Sequence, residues 1–233
     1  MMKFLKATAV MFVLLTTGCA GLNAESINRA LGGSLDSETV AAGLKEALRI
    51  GTERSTNTTA KVDGFYGNAL IRIALPEQYD GAADALRTIG LGSQVEAFEV
   101  SMNRAAEQAS AEAVAVFWAA ITSMSIEDAF GILNGGNTAA TDYFRGRTGA
   151  ELSARFQPIV VKSMEEVGVY RLYEDLTARY NLLPIPKPAA VDLDAYITAR
   201  TVGGIFIVLE QEEQRIREDP AARTTALLRK VFG

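Results

Sequence analysis

The chain has 233 residues, with 23 basic against 28 acidic groups, a formal net charge of −5, one cysteine and no histidine. Without an imidazole, Ser-His-Asp and Cys-His catalysis and the usual zinc sites are excluded. The acidic balance repels phosphate backbones and so excludes nucleic acid as a partner; what remains is carboxylate acid–base work, Lys or Tyr chemistry, or oxygen-ligated metals.

The chain opens MMKFLKATAVMFVLLTTGCAGL. Lys3 and Lys6 make a basic start, and Ala7 to Leu15 form an apolar run well short of the roughly 20 residues a bilayer needs. With the small residues Thr16, Thr17 and Gly18 this predicts a signal peptide over 1–18. The next residue, Cys19, is the only cysteine, and the segment resembles a bacterial lipoprotein signal whose cysteine is lipidated. Such signals usually carry Leu where Thr16 stands; here Leu15 lies one place earlier. Ala20, rather than an aspartate, follows the cysteine, which in such lipoproteins implies the outer membrane, facing the periplasm. The expected partner of this end is therefore the membrane, through a lipid on Cys19. The alternative is a conventionally cleaved signal and a soluble periplasmic protein. With Cys19 lipidated, no cysteine is left for a disulfide, and the core alone must hold the fold.

Residues 19–35 read as a tether, and 36–233 as a single domain. Asp36 or Ser37 caps a first helix with Val40, Leu44, Ala47 and Leu48 at helical spacing; Gly51 and the run STNTTA are expected to weaken its end. The stretch VDGFYGNALIRIALP, 62–76, is extended or hairpin-like near 62–75, with a short strand or a helical turn both open for ALIRIAL. Pro76 opens a helix that ends on Gly90. Residues 93–123 form one long helix with an apolar stripe through Phe98, Met102, Ala105, Ala109, Ala113, Val116, Phe117 and Ile121. Ser125 and Asp128 approximate a capping box. That helix stops at Asn134-Gly135-Gly136, where the left-handed conformation is expected. Asn137 or Thr138 caps a short helix through Tyr143 and Phe144.

Two further helices follow, the first kinked at Pro158. LPIPKPAAVD, 183–192, is an extended connector, too short to divide two domains. Asp192 caps a long helix that is apolar all round from Val202 to Leu209, so it is buried at the centre. Gly203-Gly204 predicts close approach of another helix there. Asp219-Pro220 breaks this helix and starts a last one, whose Leu227, Leu228, Val231 and Phe232 form a docking edge. The expected fold is an all-α, bundle-like domain.

The segments FEVSMNRAAEQA, AITSMSIEDAFGILNGGNTAATDYFR, FQPIV and EEQRIREDPAARTTALLRKVFG together resemble a family of bacterial exported proteins, the domain of unknown function 4197. The resemblance runs from about residue 36 to the end. It implies an all-helical exported domain and brings no activity, ligand, cofactor or catalytic residue.

Two groups of polar residues are candidates for a site. Glu99, Asn103 and Glu107 share one helix face at four-residue steps, beside Arg104. With Asp128 or Asp142 they offer oxygens for Ca²⁺ or Mg²⁺; the plainer reading is a satisfied helix–helix contact. Asn137, Thr138, Thr141, Asp142 and Arg145 line a corner between helices, which reads first as structural. The charges from Glu210 to Glu218 read as a solvated helix end, with Arg223 as a partner across the Asp219-Pro220 bend. Phe65, Tyr66, Trp118, Phe130, Tyr143 and Phe144 read as core. Three function classes follow. The first is a non-catalytic envelope interaction or scaffold protein with an envelope protein partner. The second is a binder of a small apolar or lipid ligand, which requires an unfilled apolar cavity. The third is a carboxylate-based, metal-dependent enzyme, which requires Glu99, Glu107, Asp128 and Asp142 to converge. No catalytic residue, resident cofactor or metal is assigned.

Overall fold

The computed structural model describes residues 36–232; the expected signal peptide over 1–18, Cys19 and the expected tether over 19–35 lie outside the described residues. The helices are α1 (Ser37–Ala60), α2 (Asp80–Thr88), α3 (Gly92–Ser110), α4 (Ala113–Ser123), α5 (Ile126–Leu133), α6 (Ala139–Val167), α7 (Val169–Asn181), α8 (Leu193–Glu218) and α9 (Ala226–Phe232). Short 3₁₀ turns at Glu77–Tyr79 and Pro220–Ala222 introduce α2 and α9. No strand occurs among the described residues, so the domain is all-α. Residues 62–75 are turns and irregular backbone rather than a strand. Among the described residues no single helix is long and apolar enough to cross a membrane.

Helix α8 is the centre, as its apolar circumference predicts. It packs against α6, α1 and α3 and buries Ile197, Ile205, Phe206, Val208 and Leu209. The α1 partner is helical through Gly51 and the threonine run, against expectation. Thr52, Ser55, Thr56 and Thr59 face inward. There Thr59 Oγ1 back-bonds to the Ser55 carbonyl at 3.0 Å, and Ser55 Oγ reaches Ile205 O of α8 at 3.3 Å. Tertiary packing of small side chains overrides their weak helix propensity. The Phe117 ring meets Phe144 and Phe206 edge-on, at 5.6 and 5.8 Å between centroids, which knits α4, α6 and α8 together.

Several elements differ from the sequence reading. The long apolar stripe is divided, because the chain turns at Ala111–Glu112 between α3 and α4. By contrast, the two helices expected after the corner are one, and α6 runs unbroken through Pro158. Gly204 does admit a close neighbour, but not a helix: an added Cβ would stand 2.6 Å from the Phe65 ring. Trp118 is 49% exposed rather than core. Helix α9 docks on α1, with Leu228 buried against Ala47, Ile50, Ile216 and Ala222.

Candidate functional site

The face of α3 that carries the first candidate group is fully engaged. Asn103, with no exposed surface, accepts from Ile73 N and donates to Ile73 O, both at 2.8 Å, and donates to Glu99 O at 2.8 Å. One turn later Glu107 accepts from Phe65 N at 3.1 Å and Tyr66 N at 3.2 Å. Arg104 bridges Glu107 at 2.5 Å and Asp63 at 2.7 Å; these bonds, Asp63's first, raise its guanidinium's proton affinity. Glu99 takes Arg72 at 2.7 Å, and Arg72 lies 4.0 Å over the Tyr66 ring. Buried main-chain groups must find partners; α3 supplies them at Phe65, Tyr66 and Ile73 of the irregular segment 61–73. The tight turn there needs Asp63 at φ 63° and a glycine at 64, where a Cβ would stand 2.4 Å from Thr58 O.

The corner group is a second structural device. Ser125 Oγ accepts from Asp128 N at 3.0 Å and Ser125 N donates to Asp128 Oδ2 at 3.1 Å, completing the expected capping box. The Ser125 backbone bond, then its hydroxyl, hold the Asp128 carboxyl below its ordinary range. Tyr143 also donates to Asp128 at 3.1 Å, and burial first, then this bond, push the phenol up. Neither Gly135 nor Gly136 has a positive φ; Gly90 and Gly168 do. Gly135 is required for a different reason, since a Cβ there would lie 2.5 Å from the Ala139 Cβ.

Thr138 stands at the N-cap of α6 but its side chain does not cap it; its hydroxyl goes to Asp142 at 3.0 Å. The cap comes from Glu213 of α8, which accepts from Ala140 N at 2.9 Å and from Thr141 N and Oγ1 at 2.8 Å. Glu213 also pairs with Arg217 at 2.9 Å, and Arg217 donates to Ile132 O at the end of α5 at 2.8 Å. A carboxylate thus meets a helix start and a guanidinium meets a helix end, each matching the local dipole. Both side chains are about nine-tenths buried, so this part of the charge run is interior rather than solvated. Arg223 donates to the carbonyls of Ile216 and Arg217, not to an acid. Asn137 binds Glu218 at 2.7 Å, and Arg145 stacks 4.9 Å from the Phe206 ring.

Glu99 and Glu107 therefore serve 61–73, while Asp128 and Asp142 serve the corner. Among the described residues no three acidic or cysteine groups are placed to hold a metal ion.

A cavity of about 160 Å³ lies elsewhere, between α2, α3, α7 and the proline connector. Leu75, Leu86, Val95, Phe98 and Leu176 form its apolar walls, and Ala82 and Ala83 leave the space. Tyr79 and Tyr173 share a hydroxyl bond of 3.0 Å at one side, and Val191 N donates to Tyr79 Oη at 3.1 Å. Burial, then the Tyr173 bond, push the Tyr79 phenol up to about 12. The connector is further held by Tyr180, whose hydroxyl donates to Pro186 O, and by Lys187. Sequence reasoning did not find this cavity: its residues come from distant segments.

A family model matches residues 34–233. The chain belongs to the family described as Protein of unknown function (DUF4197). No curated protein and no solved structure matches the chain.

Proposed function

We propose that this protein is a non-catalytic binding module of the bacterial envelope, anchored through Cys19, that takes a small apolar group into the α2–α3–α7 cavity. The observation that carries the reading is the cavity itself. It is open, apolar-walled and about 160 Å³, close to the roughly 150 Å³ cavity that accepts benzene in an engineered protein core. Sites of this kind occur between the helices of bundles. The carboxylates that an acid–base or metal mechanism would use are occupied by main-chain amides and arginines. The apolar cavity supports the small-ligand reading, and the engaged carboxylates weigh against a carboxylate-based enzyme.

The test is a titration with 1-octanol, followed by calorimetry and by the melting temperature. Binding to the native state raises the melting temperature by mass action, and Ala82→Trp, which fills the cavity, abolishes both signals. If the wild-type protein shows no heat and no shift, the cavity is not a binding site. The anchor is tested by labelled palmitate, which enters the wild type and not Cys19→Ala; an unlabelled wild type removes the lipid from the reading.

A further inference from the structure

The rim of the cavity is not neutral. In a protein of net charge −5, its lining includes one cation, Lys187, and no carboxylate. Lys187 Nζ donates to Tyr180 O and Asn181 O at 3.3 Å and to Leu183 O at 3.0 Å, and lies 5.0 Å from the Tyr180 ring centroid. All of these partners are uncharged, and the three carbonyls take the three N–H donors of the ammonium, so it offers an anion its charge and not a hydrogen bond. The end of α7 carries the equivalent of about half a negative charge, so a full ammonium leaves the rim with an excess of positive charge. Thr177 and Asn181, one turn apart on α7, line the cavity with Lys187, and Asn181 and Lys187 are exposed. Leu86, Val95 and Phe98 in the same lining are apolar and buried.

Building on the cavity as a ligand site, we propose that its ligand is a medium-chain carboxylate. The alkyl tail fills the cavity, and the carboxylate stays at the mouth beside Lys187, Thr177 and Asn181. The volume admits about six carbons of tail, by comparison with the benzene-sized cavity. A chain near eight carbons then brings its head to the rim. An exposed ion pair of this kind is worth at most about 1 kcal/mol, so charge selects the ligand while the tail supplies most of the affinity.

The experiment compares octanoate, 1-octanol and octylamine on the full-length protein by calorimetry. Octanoate binds about two- to fivefold tighter than 1-octanol, octylamine binds weakest, and raised salt narrows the gap. Lys187→Gln removes the octanoate preference, read as the ratio of octanoate to 1-octanol affinity within the same variant, whereas Lys187→Arg keeps that ratio. Melting curves of both variants confirm the fold. If 1-octanol binds the wild type as tightly as octanoate, or the preference survives Lys187→Gln, the carboxylate assignment is overturned while the cavity stands as an apolar site. If neither ligand binds, the cavity reading itself falls.

Discussion

Glu213→Ala is the sharpest probe of how the corner is held. The carboxylate accepts three hydrogen bonds from the first turn of α6, at 2.8 to 2.9 Å, and pairs with Arg217 at 2.9 Å. Loss of a helix cap alone costs about 0.5–2 kcal/mol. The substitution also takes the Glu213 carboxylate from a guanidinium only 11% exposed, and breaking a buried pair by removing one partner costs about 3–5 kcal/mol. The two overlap, so the expected loss is about 3–5 kcal/mol in total, a large share of the roughly 5–15 kcal/mol of a typical domain. Glu213→Gln keeps one oxygen for the amides and costs less, about 1–2 kcal/mol. Urea unfolding followed by circular dichroism reads both, with the midpoint moving and the slope constant. A loss under about 0.5 kcal/mol for Glu213→Ala would refute the claim that Glu213 caps α6, and would return Glu210 to Glu218 to a solvated helix end.

Gly135→Val lowers stability by about 1 kcal/mol or more, because its Cβ meets Ala139 at 2.5 Å, whereas Gly136→Val, with open space around it, changes the melt little. Asn103→Ala strips the Ile73 N–H and C=O of their side-chain partners and costs about 2–5 kcal/mol in urea unfolding; a neutral result removes the docking role of α3. Tyr79 ionises near pH 12 in the folded protein against an ordinary value of 10.0. The neutral phenol's contribution to stability is therefore complete below about pH 10 and is lost as the pH rises toward 12. Absorbance titration against Tyr79→Phe reads this, and a tyrosine difference already complete at pH 10 contradicts it.

Local signals were legible in the sequence, and distant ones were not. Ser125 and Asp128, Asp192, and Pro76 with Gly90 each act within a few residues, and each marks the boundary it should; Asp219-Pro220 ends α8 as expected, but Pro220 opens only a 3₁₀ turn and α9 begins at Ala226. The apolar circumference of α8 correctly made it central. Glu107 and Asn103 were recognisable as one helix face, but their partners are backbone groups 30 to 42 residues away, and a main-chain amide leaves no trace in residue type. Glu213 was hidden for the same reason: its partners are amides of Ala140 and Thr141, 73 and 72 residues away. Gly135 was rightly singled out but for the wrong cause, since crowding against Ala139 and left-handed backbone both demand glycine. The cavity could not be foreseen, because it is defined by what Ala82 and Ala83 fail to fill.

The ladder of Asn103 and Glu107 along α3 has a consequence for how this molecule behaves over time. Phe65, Tyr66 and Ile73 belong to no helix or strand, yet their N–H groups, buried at Phe65 and Ile73 and half-buried at Tyr66, are bonded to side chains of α3. In deuterated water these amides exchange only when the segment lifts off α3. They would therefore register as slowly as helical amides while reporting a different event. Their protection rises and falls with Glu107 and Asn103 rather than with any stretch of regular backbone.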